Sequence, residues 1–109
     1  MHEMGLALEI ADIAAAHAEG RPIRRVVVQI GKLALVVPEA LRLAWTVATD
    51  HTAAAGAELD IVEVAGRARC RACGEDLALE SVVARCPCGS HDLERLCGAE
   101  LRVLEMEVT

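Results

Sequence analysis

The sequence predicts an α+β domain interrupted by a small cysteine-rich insertion, and three observations carry that expectation. Two stretches, 4–19 and 38–50, repeat their apolar residues at helical spacing. Between them, Arg24-Arg-Val-Val-Val-Gln-Ile-Gly31 is rich in β-branched residues and predicts a strand. Finally, two similar strand-like segments, 57–64 and 99–106, bracket all five cysteines of the chain.

In the first helix Leu6, Ile10, Ile13 and His17 share one face, which places His17 in a core or an interface; Gly20 and Pro22 end the helix. The strand 24–31 stops at Gly31, and Pro38 suits the first turn of the second helix, with Leu41, Trp45 and Ala48 on one face. Thr52-Ala-Ala-Ala-Gly56 reads as a loop, and His51 as a loop residue. Gly56-Ala-Glu-Leu-Asp-Ile-Val-Glu-Val64 is then echoed by Gly98-Ala-Glu-Leu-Arg-Val-Leu-Glu-Met106. Both alternate as strands and change phase at the pairs Ile61-Val62 and Val103-Leu104, which predicts a bulge or burial on both faces. The expectation is that these two strands are antiparallel sheet neighbours, with the cysteine segment as an excursion between them.

Composition narrows the function classes. The 109 residues suffice for one ordinary domain, or for a small domain with a satellite too small to fold on apolar burial alone. Apolar residues make up 54%, but there is no Phe, no Tyr and one Trp, so base-stacking recognition of nucleic acid is a poor fit. A formal charge of −6 with scattered arginines and a single lysine, Lys32, also argues against phosphate binding. Residues 67–97 are neutral, with five arginines and five acids, and the negative charge lies in the rest of the chain. Glu3, Glu9 and Asp12 interrupt the apolar start and no basic stretch precedes it, so it reads as neither signal peptide nor membrane span, and the cytosol is the expected compartment.

Five clustered cysteines, an odd number in close pairs, fit metal ligation better than a secreted disulfide framework. Cys70-Arg-Ala-Cys73-Gly74 can grip an ion with two thiolates, and Cys86-Pro87-Cys88-Gly89 adds a second pair after twelve residues. Four thiolates make a closed, tetrahedral, structural zinc site with no position for a substrate. A module of this size with few large apolar side chains draws its folding free energy from such a metal. The second pair is one residue shorter than usual, which leaves His91 as an alternative to one thiolate. A thiol–disulfide pair or an iron–sulfur cluster are the readings without zinc. Cys97, just before the returning strand, reads as a small core residue. The expected architecture is two helices packed on a small mixed three-stranded sheet, formed by residues 1–66 plus 98–109, with an inserted zinc-ribbon-like module at 67–97.

Met1-His2-Glu3 offers a second kind of metal chemistry. The Met1 amine, the His2 amide nitrogen and the His2 imidazole can close two fused chelate rings in one plane, with a fourth position to fill. That arrangement suits Ni(II) or Cu(II) and not tetrahedral zinc. Glu3 is adjacent and could ligate or accept a proton. No nucleophile–base–orienter set and no phosphate-binding loop is evident, so no catalytic role is expected.

Taken together, Met1-His-Glu, Val26-Val-Val-Gln-Ile-Gly-Lys-Leu33, Val37-Pro-Glu-Ala-Leu41, Gly56-Ala57, Cys70-x-x-Cys-Gly, Cys86-Pro-Cys-Gly-Ser and Gly98-Ala-Glu-Leu-Arg-Val103 resemble the HypA/HybF family. These are nickel-insertion proteins of nickel–iron hydrogenase maturation, some of which also serve urease. The resemblance runs to about residue 107 and implies a non-catalytic nickel metallochaperone. It implies nickel at His2 with neighbouring backbone nitrogens and Glu3, and structural zinc at Cys70, Cys73, Cys86 and Cys88. It also implies as partners the maturation GTPase HypB and the hydrogenase large-subunit precursor; a homodimer is a further candidate assembly. The short Cys-Pro-Cys spacing, the extra Cys97 and Trp45-Thr46 depart from the family pattern. The rival readings are a zinc-ribbon adaptor for protein or nucleic acid, which leaves Met-His-Glu without a role, and a small dithiol redox enzyme using Cys86 and Cys88.

Overall fold

The computed structural model describes residues 2–109. Helix α1 spans Glu3–Ala18, strand β1 Ile23–Gly31 and helix α2 Pro38–Ala48, with one 3-10 turn at Lys32–Ala34. Strands β2 (Glu58–Val64), β3 (Gly66–Cys70), β4 (Asp76–Leu79), β5 (Leu93–Cys97) and β6 (Leu101–Val108) complete the chain. They form two three-stranded sheets, ordered β2-β1-β6 and β4-β3-β5. The fold class is α+β.

Two compact units result, each with its own core. The first comprises the chain up to Gln29 with Val36–Val62 and Arg102–Thr109; the second comprises Ile30–Leu35 and Glu63–Leu101. In the first, α1 packs against α2. Ile10, Val26, Val28 and Leu41 are fully buried there, and Val27 is buried too, so β1 packs on both faces. Trp45 is buried as well, and its indole N–H donates to the Ala57 carbonyl at 2.9 Å, so its one polar atom is satisfied.

The face that α1 buries differs from the sequence expectation. Glu3, Ala7, Ile10, Ala14 and Ala18 are buried, whereas Leu6 and Ile13 are only half-buried and His17 is exposed. Small alanines let the helix approach its neighbours closely, and that row outcompetes the one with larger side chains. The His17 Nδ1 lies 2.9 Å from the Ile13 carbonyl, a contact within its own helix.

The two repeated segments are not sheet neighbours. They flank β1, one at each edge, because β1 carries aliphatic side chains on both faces and is the strand best suited to the middle. Strand β6 runs antiparallel to β1: the Thr109 N–H donates to the Pro22 carbonyl at one end, and the Gly31 N–H to the Glu100 carbonyl at the other. The phase change does not bury both faces either, since Val62 and Leu104 stay exposed. On one face of this sheet Arg25 gathers Glu58 and Asp60 from one edge and Glu105 and Glu107 from the other, all within 4.0 Å.

In the second unit β3 pairs antiparallel with both β4 and β5. Its buried cluster is small: Leu33, Ala68 and Leu79, with Leu77, Ala84 and Leu93 packed against them. Backbones meet closely beside it. A Cβ on Gly31 would lie 1.9 Å from the Gly98 carbonyl oxygen, and one on Gly98 (φ +130) 2.5 Å from the Gly66 Cα. Only glycine permits this approach of the departing and returning chains.

Candidate metal centres

The first knuckle grows out of β3. Cys70 ends the strand, its N–H donates to the Glu75 carbonyl, and the Gly74 N–H (φ +81) donates back to the Cys70 carbonyl at 2.8 Å, a turn that carries the exposed Cys73 to the side of Cys86. The second knuckle is closed by Cys86 N–H to Ser90 carbonyl at 2.9 Å and Gly89 N–H to Cys86 carbonyl at 2.8 Å, with Gly89 at φ +99. Gly89 thus absorbs the turn that the one-residue Cys-Pro-Cys spacing demands.

These turns bring the Sγ atoms of Cys70, Cys73, Cys86 and Cys88 within 4.8 Å of one another. Cys70 and Cys88 sulfurs are 3.7 Å apart and Cys73 and Cys86 sulfurs 3.6 Å. A disulfide would need about 2.05 Å, and none of the five cysteines is in a disulfide. Four sulfurs about 2.3 Å from a tetrahedral ion stand about 3.8 Å apart, so the spacing fits one zinc ion. His91 is exposed and is not among the clustered ligand atoms. Cys97 is exposed at the end of β5, and not in the core: its neighbours in the strand face solvent too, while the small cluster around Leu33 is filled by others.

The thiols of the cluster differ in how readily they ionise. The Cys73 N–H donates to the Cys70 sulfur and holds that thiol down at about 6, with help from the Ala72 N–H. Cys86 goes the other way. The Cys88 N–H favours its thiolate, but burial and the three neighbouring thiols push it up to about 12. Four thiolates cannot ionise side by side unless a positive ion joins them.

At the other centre, His2 caps the start of α1 and exposes half of its side chain, while Glu3 is buried beside it. One Glu3 carboxylate oxygen, Oε2, accepts the Val37 N–H at 3.2 Å and lies 3.8 Å from the His2 Nε2. The Val37 N–H is the main cause that holds the Glu3 carboxyl below its ordinary range. The Met1 amine expected as a ligand lies outside the described residues. His17 and His51 are both exposed, and neither joins His2 in a cluster of ligand atoms among the described residues. Sequence reasoning missed the burial of Glu3. Its signal was the spacing 3, 7, 10, 14, 18, which sets Glu3 in line with the buried Ala7, Ile10, Ala14 and Ala18.

A family model described as "Hydrogenase/urease nickel incorporation, metallochaperone, hypA" matches residues 1–108. The chain belongs to the HypA family. A hydrogenase maturation factor HypA from Trichormus variabilis is 40% identical over 108 residues, covering 99% of this chain and 96% of that one. The Geobacter sulfurreducens protein of the same name is also 40% identical over 109 residues, covering 99% of each chain. The solution structure of a HypA protein has a TM-score of 0.67 at 26% identity, covering 100% of this chain and 97% of the other. That of the Ni metallochaperone HypA from Helicobacter pylori has a TM-score of 0.68 at 24% identity, with 99% and 97% covered, and shows the shared fold. Among the described residues of this HypA-family chain, no helix is long and apolar enough to cross a membrane.

Proposed function

We propose that this chain carries Ni(II) on its amino terminus and delivers it during maturation of a nickel–iron hydrogenase, with urease as a second candidate target. The observation that carries this reading is the family match along residues 1–108. The Met1 amine, the ionised His2 amide nitrogen and the His2 imidazole supply three donors in a plane, with Glu3 alongside. The His2 amide sits at a helix start, where an N–H has no acceptor within the helix, so its proton can leave to solvent without breaking a helical bond. The exposed His2 leaves the cargo reachable by an acceptor site. We assign zinc to Cys70, Cys73, Cys86 and Cys88 in a module spanning 67–97, and nickel to the domain formed by 1–66 and 98–109. The zinc role is structural and the chain is not itself a catalyst. The partners we propose are the maturation GTPase HypB and the hydrogenase large-subunit precursor, in the cytoplasm.

The chelate depends on a free amine one residue before His2. A two-residue extension ahead of Met1 converts that amine into an amide, and nickel affinity is expected to fall on the order of tenfold or more, a loss of about 1.4 kcal/mol or more. Titration of the extended and native proteins with Ni(II) checks this, with zinc content and thermal stability as controls. Equal nickel affinity in the two proteins would remove the amine from the ligand set.

A further inference from the structure

We propose that Glu3 is a positioning residue, and that its partner is the backbone amide of Val37: the buried Glu3 carboxylate, fixed on that N–H, orients the His2 ring for nickel. The inference rests on the nickel reading above and specifies how the site is held in shape.

Two observations and one point of chelate geometry converge on it. The Glu3 side chain is nine-tenths buried and its Oε2 accepts the Val37 N–H at 3.2 Å, which ties the first turn of α1 to the residue that caps α2. The same oxygen lies 3.8 Å from the His2 Nε2, close enough for a small ring rotation to complete a hydrogen bond. Finally, a chelate through the His2 amide nitrogen closes a six-membered ring with Nδ1 and not with Nε2. Nickel on Nδ1 would leave the Nε2–H free to donate to the carboxylate. A ligating imidazole with its other nitrogen bonded to a carboxylate is a recurrent way to fix ring orientation and raise donor strength. A carboxylate engaged in this way by Val37 and His2 acts through the His2 ring, without occupying a coordination position.

Two readings of Glu3 separate experimentally. A ligating carboxylate is lost equally in Glu3→Gln and Glu3→Ala. A positioning carboxylate is replaced by the glutamine carbonyl oxygen, which still accepts from Val37 and from Nε2–H. The hydrogen bond can also be removed from its other end. Val37 has an extended backbone at φ −90° and ψ 112°, so Val37→Pro removes the N–H at the cost of a φ shift of about 25° toward the proline value. Val37→Ala keeps the N–H and controls for the side chain.

Nickel affinity and the d–d absorption of the 1:1 nickel complex should be measured for Glu3→Ala, Glu3→Gln, Val37→Pro and Val37→Ala in the zinc-loaded full chain. Glu3→Ala and Val37→Pro are expected to lose about 10–100-fold in affinity, and the double variant no more than either alone. Glu3→Gln and Val37→Ala should stay within about threefold of native with an unchanged spectrum. If Val37→Pro fails to fold, the contrast between Glu3→Gln and Glu3→Ala still decides. Loss of affinity and an altered spectrum in Glu3→Gln would make Glu3 a ligand and overturn the proposal, as would native affinity in Glu3→Ala. Undiminished nickel binding by His2→Ala is a separate failure, of the nickel site itself.

Discussion

Cys73→Ser is expected to release the zinc and to unfold β3, β4 and β5, while α1, α2 and β1 remain folded. Cys73 is exposed, so its replacement removes a ligand without emptying a packed core, unlike the buried Cys70 and Cys86. The apolar cluster of this unit holds only Leu33, Ala68 and Leu79 at full burial, too few to order the strands around it. Structural zinc in small modules contributes roughly 10–16 kcal/mol, so loss of the metal dominates the outcome. The other unit has its own buried residues, among them Ile10, Val26, Val28, Leu41 and Trp45, and unfolds as a separate cooperative element. Amide hydrogen exchange resolved by segment, with zinc determined by mass spectrometry, reads both effects. Retention of one zinc with protected amides in 66–97 would show that Cys73 is dispensable to the metal.

His2→Ala has the largest expected effect on nickel. It removes the imidazole and one of the two chelate rings, a loss on the order of 3 kcal/mol or more, and tight binding should fall about 100-fold or further. His2 caps α1 without a side-chain hydrogen bond to the helix, so the fold is expected to tolerate the change. Zinc content should stay at the native value because thiolates and the amine–amide–imidazole set differ in chemical type. Nickel titration followed by isothermal calorimetry, alongside zinc analysis, tests this. Undiminished binding would move the nickel to another histidine, with His17, His51 and His91 as the candidates.

Much of this was legible in the sequence because the signals were local. Val26-Val27-Val28 announces a buried strand, Pro38 a helix start, and the paired cysteines a metal knuckle, each from residues close together in the chain. What escaped depends on competition between elements. The segments 57–64 and 99–106 look alike because both are edge strands beside β1, and two edges of one sheet share a pattern without being neighbours. The buried face of α1 is set by how closely small residues let it approach its neighbours, so alanines prevailed over Leu6 and Ile13. Cys97 looked apolar enough for a core, yet β5 leaves its neighbours Arg95 and Leu96 in solvent with it. The spacing 3, 7, 10, 14, 18 marks Glu3 as inward-facing, but its acceptor role toward the Val37 N–H, 34 residues away, has no local signal.

We propose that one chain holds a resident zinc and an exchangeable nickel at chemically different sites. Metal analysis of native, untagged protein before and after equilibration with Ni(II), followed by gel filtration, tests it most directly. One zinc per chain is expected throughout, with one added nickel that a competing chelator removes while the zinc stays. Nickel entering only as zinc leaves would contradict it, because the two metals would then share the four-cysteine site.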